Sequence, residues 1–297
     1  MIKIALAQYN QYAIISIQTN QQPLERNNMI NSTLKLINGE CLQELAKLES
    51  NSIDMVMVDI PYGTTACKWD TVLDLEIMWE QLNRVVKDNG AMVFTASQPF
   101  TSVLVSSNLK GFKHEWIWEK NRGSNFGAAK YQPLKEHESV LVFSKNGEKV
   151  NYYPIKEPRK GAGADRVKYA FNGSNTGKRD VYNGFKDNRV NHMEGELRYP
   201  SSIQKHNVEV GLHPTQKPVS LMQYLIQTYT KEGDVVLDFT MGSGSTGVAA
   251  IGTNRGFVGI EMDTEYHDVA CRRIYDTAFL KRDNYIVEKE MLEINAR

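Results

Sequence analysis

Along most of the chain, short uninterrupted apolar runs alternate with segments whose apolar residues recur at helical spacing. The runs at 53 to 58 (IDMVMV), 91 to 96 (AMVFTA) and 235 to 239 (VVLDF) lack the in-out alternation of a half-solvated strand, so they read as strands buried on both faces. Further strands are expected at 34 to 38, 112 to 119, 139 to 143 and 257 to 261. Helices are expected between them. The first covers 41 to 48, and in the second Leu75, Met78, Trp79, Leu82, Val85 and Val86 share a face that Asn89-Gly90 closes. Others run from Pro99 to about 109, from Pro218 with Leu221, Met222, Leu225, Ile226 and Tyr229 on one face, over 245 to 251, and over about 266 to 280. This alternation specifies an α/β fold, a doubly wound and mostly parallel sheet.

Two stretches break the rhythm. Residues 1 to 28 hold nine Asn/Gln and three charged side chains, and the regular pattern begins abruptly at Met29, which is therefore expected as the natural start, with 1 to 28 an N-terminal tail or extension. Residues 145 to 210 carry 13 Lys/Arg against 8 Asp/Glu, seven aromatics and seven glycines, with little periodicity. They read as a loop-rich insertion dividing the fold into halves at 29 to 144 and 211 to 297. Because the whole chain balances 35 basic against 35 acidic residues, the charge is segregated rather than uniformly basic.

Hydrophobic residues at 41% and charged residues at 24% exclude a disordered or coiled-coil chain. No apolar run approaches the ~20 residues that span a bilayer, and no signal peptide is legible, so a cytoplasmic protein without a membrane partner is expected. Cys41, Cys67 and Cys271 form no CxxC pair and the six histidines show no ligand spacing, so neither a disulfide framework nor a metal is expected.

Candidate chemistry concentrates at two strand ends. Gly242, Gly244 and Gly247 satisfy GxGxxG after the strand 235 to 239 and before a helix, which indicates a nucleotide-like cofactor at the helix N-terminus; Glu261, ending the next strand, suits ribose hydroxyls. Asp238, Phe239 and Thr240 precede the first glycine. A carboxylate there repels a pyrophosphate but attracts the ammonium of a methionine moiety, which favours S-adenosyl-L-methionine over NAD. The other strand end carries Asp59-Ile60-Pro61-Tyr62. The Asp59 carboxylate and the Ile60 carbonyl suit the two hydrogens of a nucleobase amino group, localising its lone pair for attack; Pro61 fixes the turn, and Tyr62 can stack on an extruded base.

These motifs, together with His213-Pro214-Thr215-Gln216-Lys217-Pro218, resemble those of the beta class of DNA amino-methyltransferases, over about residues 32 to 280. The order resembles that class too: catalytic motif first, cofactor loop last, target recognition between. The resemblance implies the methyltransferase fold, a double-stranded DNA substrate, base flipping, Thr215 and Lys217 at the methionine end of the cofactor, and Glu40 near its adenine. It also brings in His137-Glu138, and admits a homodimer and a companion restriction endonuclease as partners. Ile60 stands where the family most often has proline, and Asp59 resembles the adenine-N6 members more than the cytosine-N4 members. Lys156, Arg159, Lys160, Arg166, Lys178 and Arg179 of the insertion are candidates for phosphate contact. The competing classes are a cytosine-N4 enzyme, a NAD-dependent oxidoreductase and a catalytically idle DNA-binding module.

Overall fold

A computed structural model describes residues 3–9, 12–18, 32–62, 73–158, 197–211, 216–281 and 285–290, and the backbone alone for 3–9, 12–18, 32, 280–281 and 285–290. The chain divides into two compact units, one running to Tyr153 and resuming at Ser202, the other Pro154–Ser201. That second unit is narrower than the insertion expected at 145 to 210.

Strands of the first unit are β1 (Lys3–Tyr9), β2 (Tyr12–Gln18), β3 (Ser32–Asn38), β4 (Ile53–Val58), β5 (Val86–Ala96), β6 (Phe112–Ser124) and β7 (Lys135–Ser144). The second unit contributes β8 (Glu157–Pro158) and β9 (Leu197–Arg198), and the first resumes with β10 (Ile203–Lys205), β11 (Val235–Asp238), β12 (Gly256–Glu261) and β13 (Tyr285–Glu290). The helices are α1 (Cys41–Lys47), α2 (Leu75–Val85), α3 (Phe100–Ser107), α4 (Val219–Tyr229), α5 (Ser245–Gly252) and α6 (Thr264–Lys281). Among the described residues, no helix is long and apolar enough to cross a membrane.

One sheet runs in the order β1-β2-β13-β3-β12-β11-β4-β5-β7-β6-β10. From β13 to β5 all neighbours are parallel, while β7 is antiparallel to both β5 and β6. The unbroken apolar runs are explained by burial on both faces. Met55 and Met57 of β4 and Ala91 and Val93 of β5 pack with Leu225 of α4, Ile251 of α5 and Ile274 of α6. Their neighbours Val56, Val58, Met92 and Phe94 point the other way, onto Leu45 of α1, Leu82 of α2 and Leu104 of α3.

Two differences from the sequence-based expectation stand out. Asn89-Gly90 does not close the second helix: α2 ends at Val85 and both residues lie inside β5. Val86 pairs with Ile53 but Ala91 with Met55, so residues 87 to 90 form an irregularity opposite Asp54, whose carboxylate holds Lys87 Nζ at 2.7 Å. A Cβ on Gly90 would meet Val86 Cγ1 at 2.5 Å and the Asp54 carbonyl at 2.8 Å, so close approach selects glycine there. The second difference concerns 1 to 28, expected as a tail or extension without assigned strands: the backbone of 3–9 and 12–18 forms an antiparallel pair that extends the sheet through β13.

The fold positions a site by its winding. From β11 the chain crosses through α5 to β12 on one side, and from β4 it crosses through α2 to β5 on the other. The carboxyl ends of β4 and β11, adjacent and parallel, therefore flank a topological switch point, where open α/β sheets form their ligand crevice.

Candidate active site

Both strand-end motifs arrive at that crevice. Asp59 follows the last residue of β4 and Asp238 is the last of β11; Thr240 joins them, its Oγ1 donating to the Asp59 carbonyl at 3.0 Å and its N–H to Asp238 Oδ1 at 3.1 Å. The glycine loop then turns with Gly242 at φ 51° and Gly244 at φ 81°, a left-handed backbone that glycine adopts without penalty. Gly244 is the N-cap of α5. The Gly242 N–H donates to Glu261 Oε2 at 2.8 Å and the Asp263 N–H to Glu261 Oε1 at 2.9 Å, so the acid at the end of β12 is locked against the loop. Arg273 of α6 braces the same turn, donating to the Ser243 carbonyl at 2.5 Å. Gly247 serves packing: a Cβ there would meet Ile274 Cδ1 at 2.4 Å.

Asp59 is heavily bonded. Its Oδ1 accepts from Thr95 Oγ1 at 2.5 Å and from the Tyr62 hydroxyl at 2.6 Å, and its Oδ2 accepts from Lys217 Nζ. Tyr62 also donates to the Thr95 carbonyl at 2.9 Å and stacks on Phe100 with centroids 5.0 Å apart. Burial, with the Asp59 and Glu138 charges, pushes the Tyr62 phenol well above its usual range. Around Lys217, burial opposes the charge, but Asp59 and Glu138 outweigh it and raise the ammonium's pKa.

Burial pushes the Asp238 carboxyl from an ordinary 3.8 up to about 7, against hydrogen bonds from Thr246 and Thr240 and with help from Asp59 and Glu261. Glu261 is raised as well, chiefly by burial. Glu40 behaves differently. It caps α1 by accepting from the Leu42 and Gln43 N–H groups, and these bonds, with the Cys41 thiol, outweigh burial and lower its pKa. The Gly39 N–H donates to the Glu261 carbonyl at 3.0 Å, which draws Glu40 to the same crevice.

A cleft of about 780 Å³ results. Asp59, Ile60, Pro61 and Tyr62 line it together with Asp238, Phe239, Thr240, Gly242, Glu261, Glu40 and Lys217. The Phe239 and Ile60 side chains belong to the core, at 0% and 2% exposure, so their backbones border the cavity. Gly244 lies behind the lining, and Thr215, His213 and Pro214 fall outside the described residues, as do Arg159, Lys160, Arg166, Lys178 and Arg179. Lys156 is described, with Nζ 5.7 Å from the Tyr199 ring centroid. Sequence reasoning missed Thr95, a lone hydroxyl ending a buried strand, and Lys120, which had no signal; it noticed Glu138 without giving it a role.

The match to known proteins follows the same residues. A family model described as DNA methylase matches residues 53–272, most of the chain. The chain belongs to the DNA methylase family. Among curated relatives of this methylase, the Type II methyltransferase M1.MboII of Moraxella bovis is 29% identical over 253 residues, covering 78% of this chain and 93% of that protein. The DNA adenine methyltransferase YhdJ of Escherichia coli (strain K12) is 29% identical over 268 residues, covering 82% and 83%. The crystal structure of the M1.HpyAVI-SAM complex shares the fold with a TM-score of 0.53 at 24% identity, covering 81% of the methylase and all of that chain.

Proposed function

We propose that this methylase transfers the methyl group of S-adenosyl-L-methionine to the N6 amino group of a target adenine in double-stranded DNA. The carrying observation is the Thr240 bridge between the Asp59 segment and the glycine loop, within one cleft.

The residues around the loop suit that cofactor. Asp238 is a buried carboxylate and Glu261 a half-buried one, burial raises the pKa of both, and Gln216 Oε1 is a buried acceptor without a hydrogen bond. Such a lining welcomes an ammonium, a sulfonium and ribose hydroxyls and offers little to a pyrophosphate, which counts against the NAD alternative. When bound, the cofactor supplies an electrophilic methyl carbon. Asp59 and the Ile60 carbonyl accept the two amino hydrogens of the extruded base, localise the nitrogen lone pair and favour the positive charge that develops there. Transfer is direct, with no covalent enzyme intermediate.

The Pro154–Ser201 unit, basic in sequence, is assigned to target recognition. The Type II name of the Moraxella bovis relative supports a companion restriction endonuclease, and a cytoplasmic location follows from a DNA substrate. Nucleoside mass spectrometry after incubating DNA with the protein and S-adenosyl-L-methionine tests the reaction: N6-methyladenine is expected, and 4-methylcytosine alone would overturn the base assignment.

A further inference from the structure

Asp59 is occupied before any base arrives. A carboxylate offers about four lone-pair sites, and three are taken: two on Oδ1 by Thr95 and Tyr62, one on Oδ2 by Lys217. An ammonium on Oδ2 compensates the acid in an empty pocket, but it draws on the negative charge that should polarise the target amine and opposes the positive charge arriving with the methyl group. A second seat lies beside it. Glu138 Oε1 is pinned by Lys120 Nζ at 2.6 Å, whereas Glu138 Oε2 is buried, has no hydrogen-bond partner and sits 3.6 Å from Lys217 Nζ. Lys217 itself is 10% exposed and stands between two carboxylates, hydrogen-bonded to Asp59 and ion-paired at longer range with Glu138, whose Oε2 accepts no hydrogen bond.

We propose that Lys217 is a positioning residue that moves between these seats, resting on Asp59 Oδ2 while the base pocket is empty and passing to Glu138 Oε2 when the target's amino group takes its place. The inference rests on the function proposed above and gives Lys217 a different role from the cofactor contact expected from sequence. No covalent bond is made or broken in the exchange and no proton changes hands. Lys120 anchors the receiving carboxylate, so β6 and β7 act on the chemistry through a lysine that precedes α4.

Single-turnover methylation of a duplex, paired with calorimetric titration of S-adenosyl-L-methionine, tests it in the full chain. Glu138→Gln weakens the receiving seat and leaves Lys217 on Asp59; the expected result is transfer slowed about tenfold, with DNA KM and cofactor Kd within about twofold. Adding Lys217→Met to Glu138→Gln removes the obstructing ammonium and should recover most of the rate, a rescue that two merely structural losses would not produce. If Glu138→Gln does not fold, Glu138→Asp, which withdraws the carboxylate, enters the same comparison. A double variant no faster than the single one overturns the exchange, as does a Lys217→Met protein whose cofactor Kd rises about tenfold, since the lysine would then serve the cofactor. Wild-type protein that makes no N6-methyladenine would instead overturn the functional assignment itself.

Discussion

Thr240 Oγ1 donates to the Asp59 carbonyl oxygen at 3.0 Å across 181 positions of sequence. The bond couples the strand end that presents the acid to the strand end that turns into the glycine loop. Thr240→Val keeps the side-chain shape and deletes the donor. Stability should fall by only about 1 kcal/mol, the ordinary net value of one hydrogen bond. Transfer should fall further, about tenfold, because small misplacements of reacting groups are costly. Urea unfolding and single-turnover rates, measured together, separate the two effects.

Asp59→Asn is the sharper test of chemistry. The amide preserves volume but loses the charge that stabilises the developing cation, and it changes what Thr95, Tyr62 and Lys217 meet. Methylation is expected to drop by at least about 100-fold while cofactor affinity persists, because the residues around the glycine loop are untouched. Calorimetry showing lost cofactor binding would place Asp59 in the wrong role.

Gly247 lies where α5 meets α6 and β12. A Cβ would approach Ile274 Cδ1 at 2.4 Å and Phe257 Cε1 at 2.7 Å, both within the core. Gly247→Ala should therefore destabilise by roughly 1 to 3 kcal/mol through overpacking, partly offset by alanine's better helix propensity. A lowered melting temperature in calorimetry is the expected sign.

The far end of β6 carries Arg122 and its connection to β7 carries Lys130, both exposed, with Phe126 at 68% and Tyr131 at 89% exposure, and Arg122 borders the cleft. A basic and aromatic rim beside an extruded base suits phosphate contact and stacking. The double substitution Arg122→Gln with Lys130→Gln should weaken duplex binding and lower the slope of log affinity against log salt by up to about 2. An unchanged slope would remove this rim from the DNA surface.

Much of this was legible because the decisive residues sit at strand ends that announce themselves by burial on both faces. Asp59 follows a strand without alternation, and Asp238 ends another just ahead of a glycine loop, so the switch point of the sheet brings together what spacing alone suggested. Asn89-Gly90 misled because the same pair suits a helix end and a strand irregularity, and only the Asp54 neighbourhood decides between them. The pairing of 3–9 and 12–18 was hidden for a related reason: Asn/Gln-rich flanks mask segments whose sheet membership depends on β13, near the other end of the chain. Thr95, Lys120 and Glu138 gain meaning only when β5, β6 and β7 align beside Asp59, a tertiary fact that no local pattern carries.

The raised Asp238 carboxyl makes a prediction about pH in both the empty and the loaded protein. Its pKa stands at about 7 in the fold against an ordinary 3.8, so the cofactor-free fold binds the proton more tightly than the unfolded chain. The stability this contributes is fully present below 3.8 and is lost as pH rises through 7. Asp238→Asn has nothing to ionise, so it should stabilise the empty protein at pH 8, by up to roughly 4 kcal/mol, with the gain vanishing toward pH 4. A bound cation reverses the preference, because it favours the ionised carboxylate. Cofactor Kd should then weaken as pH falls below 7, approaching tenfold for each pH unit, with a proton released on binding; calorimetry in buffers of different ionisation enthalpy reads that proton directly. In Asp238→Asn the affinity should be lower and nearly independent of pH. A wild-type Kd that stays flat from pH 8 to pH 5.5 would mean that Asp238 faces no positive charge on the ligand, and the assignment of the methionine end to this carboxylate would fail.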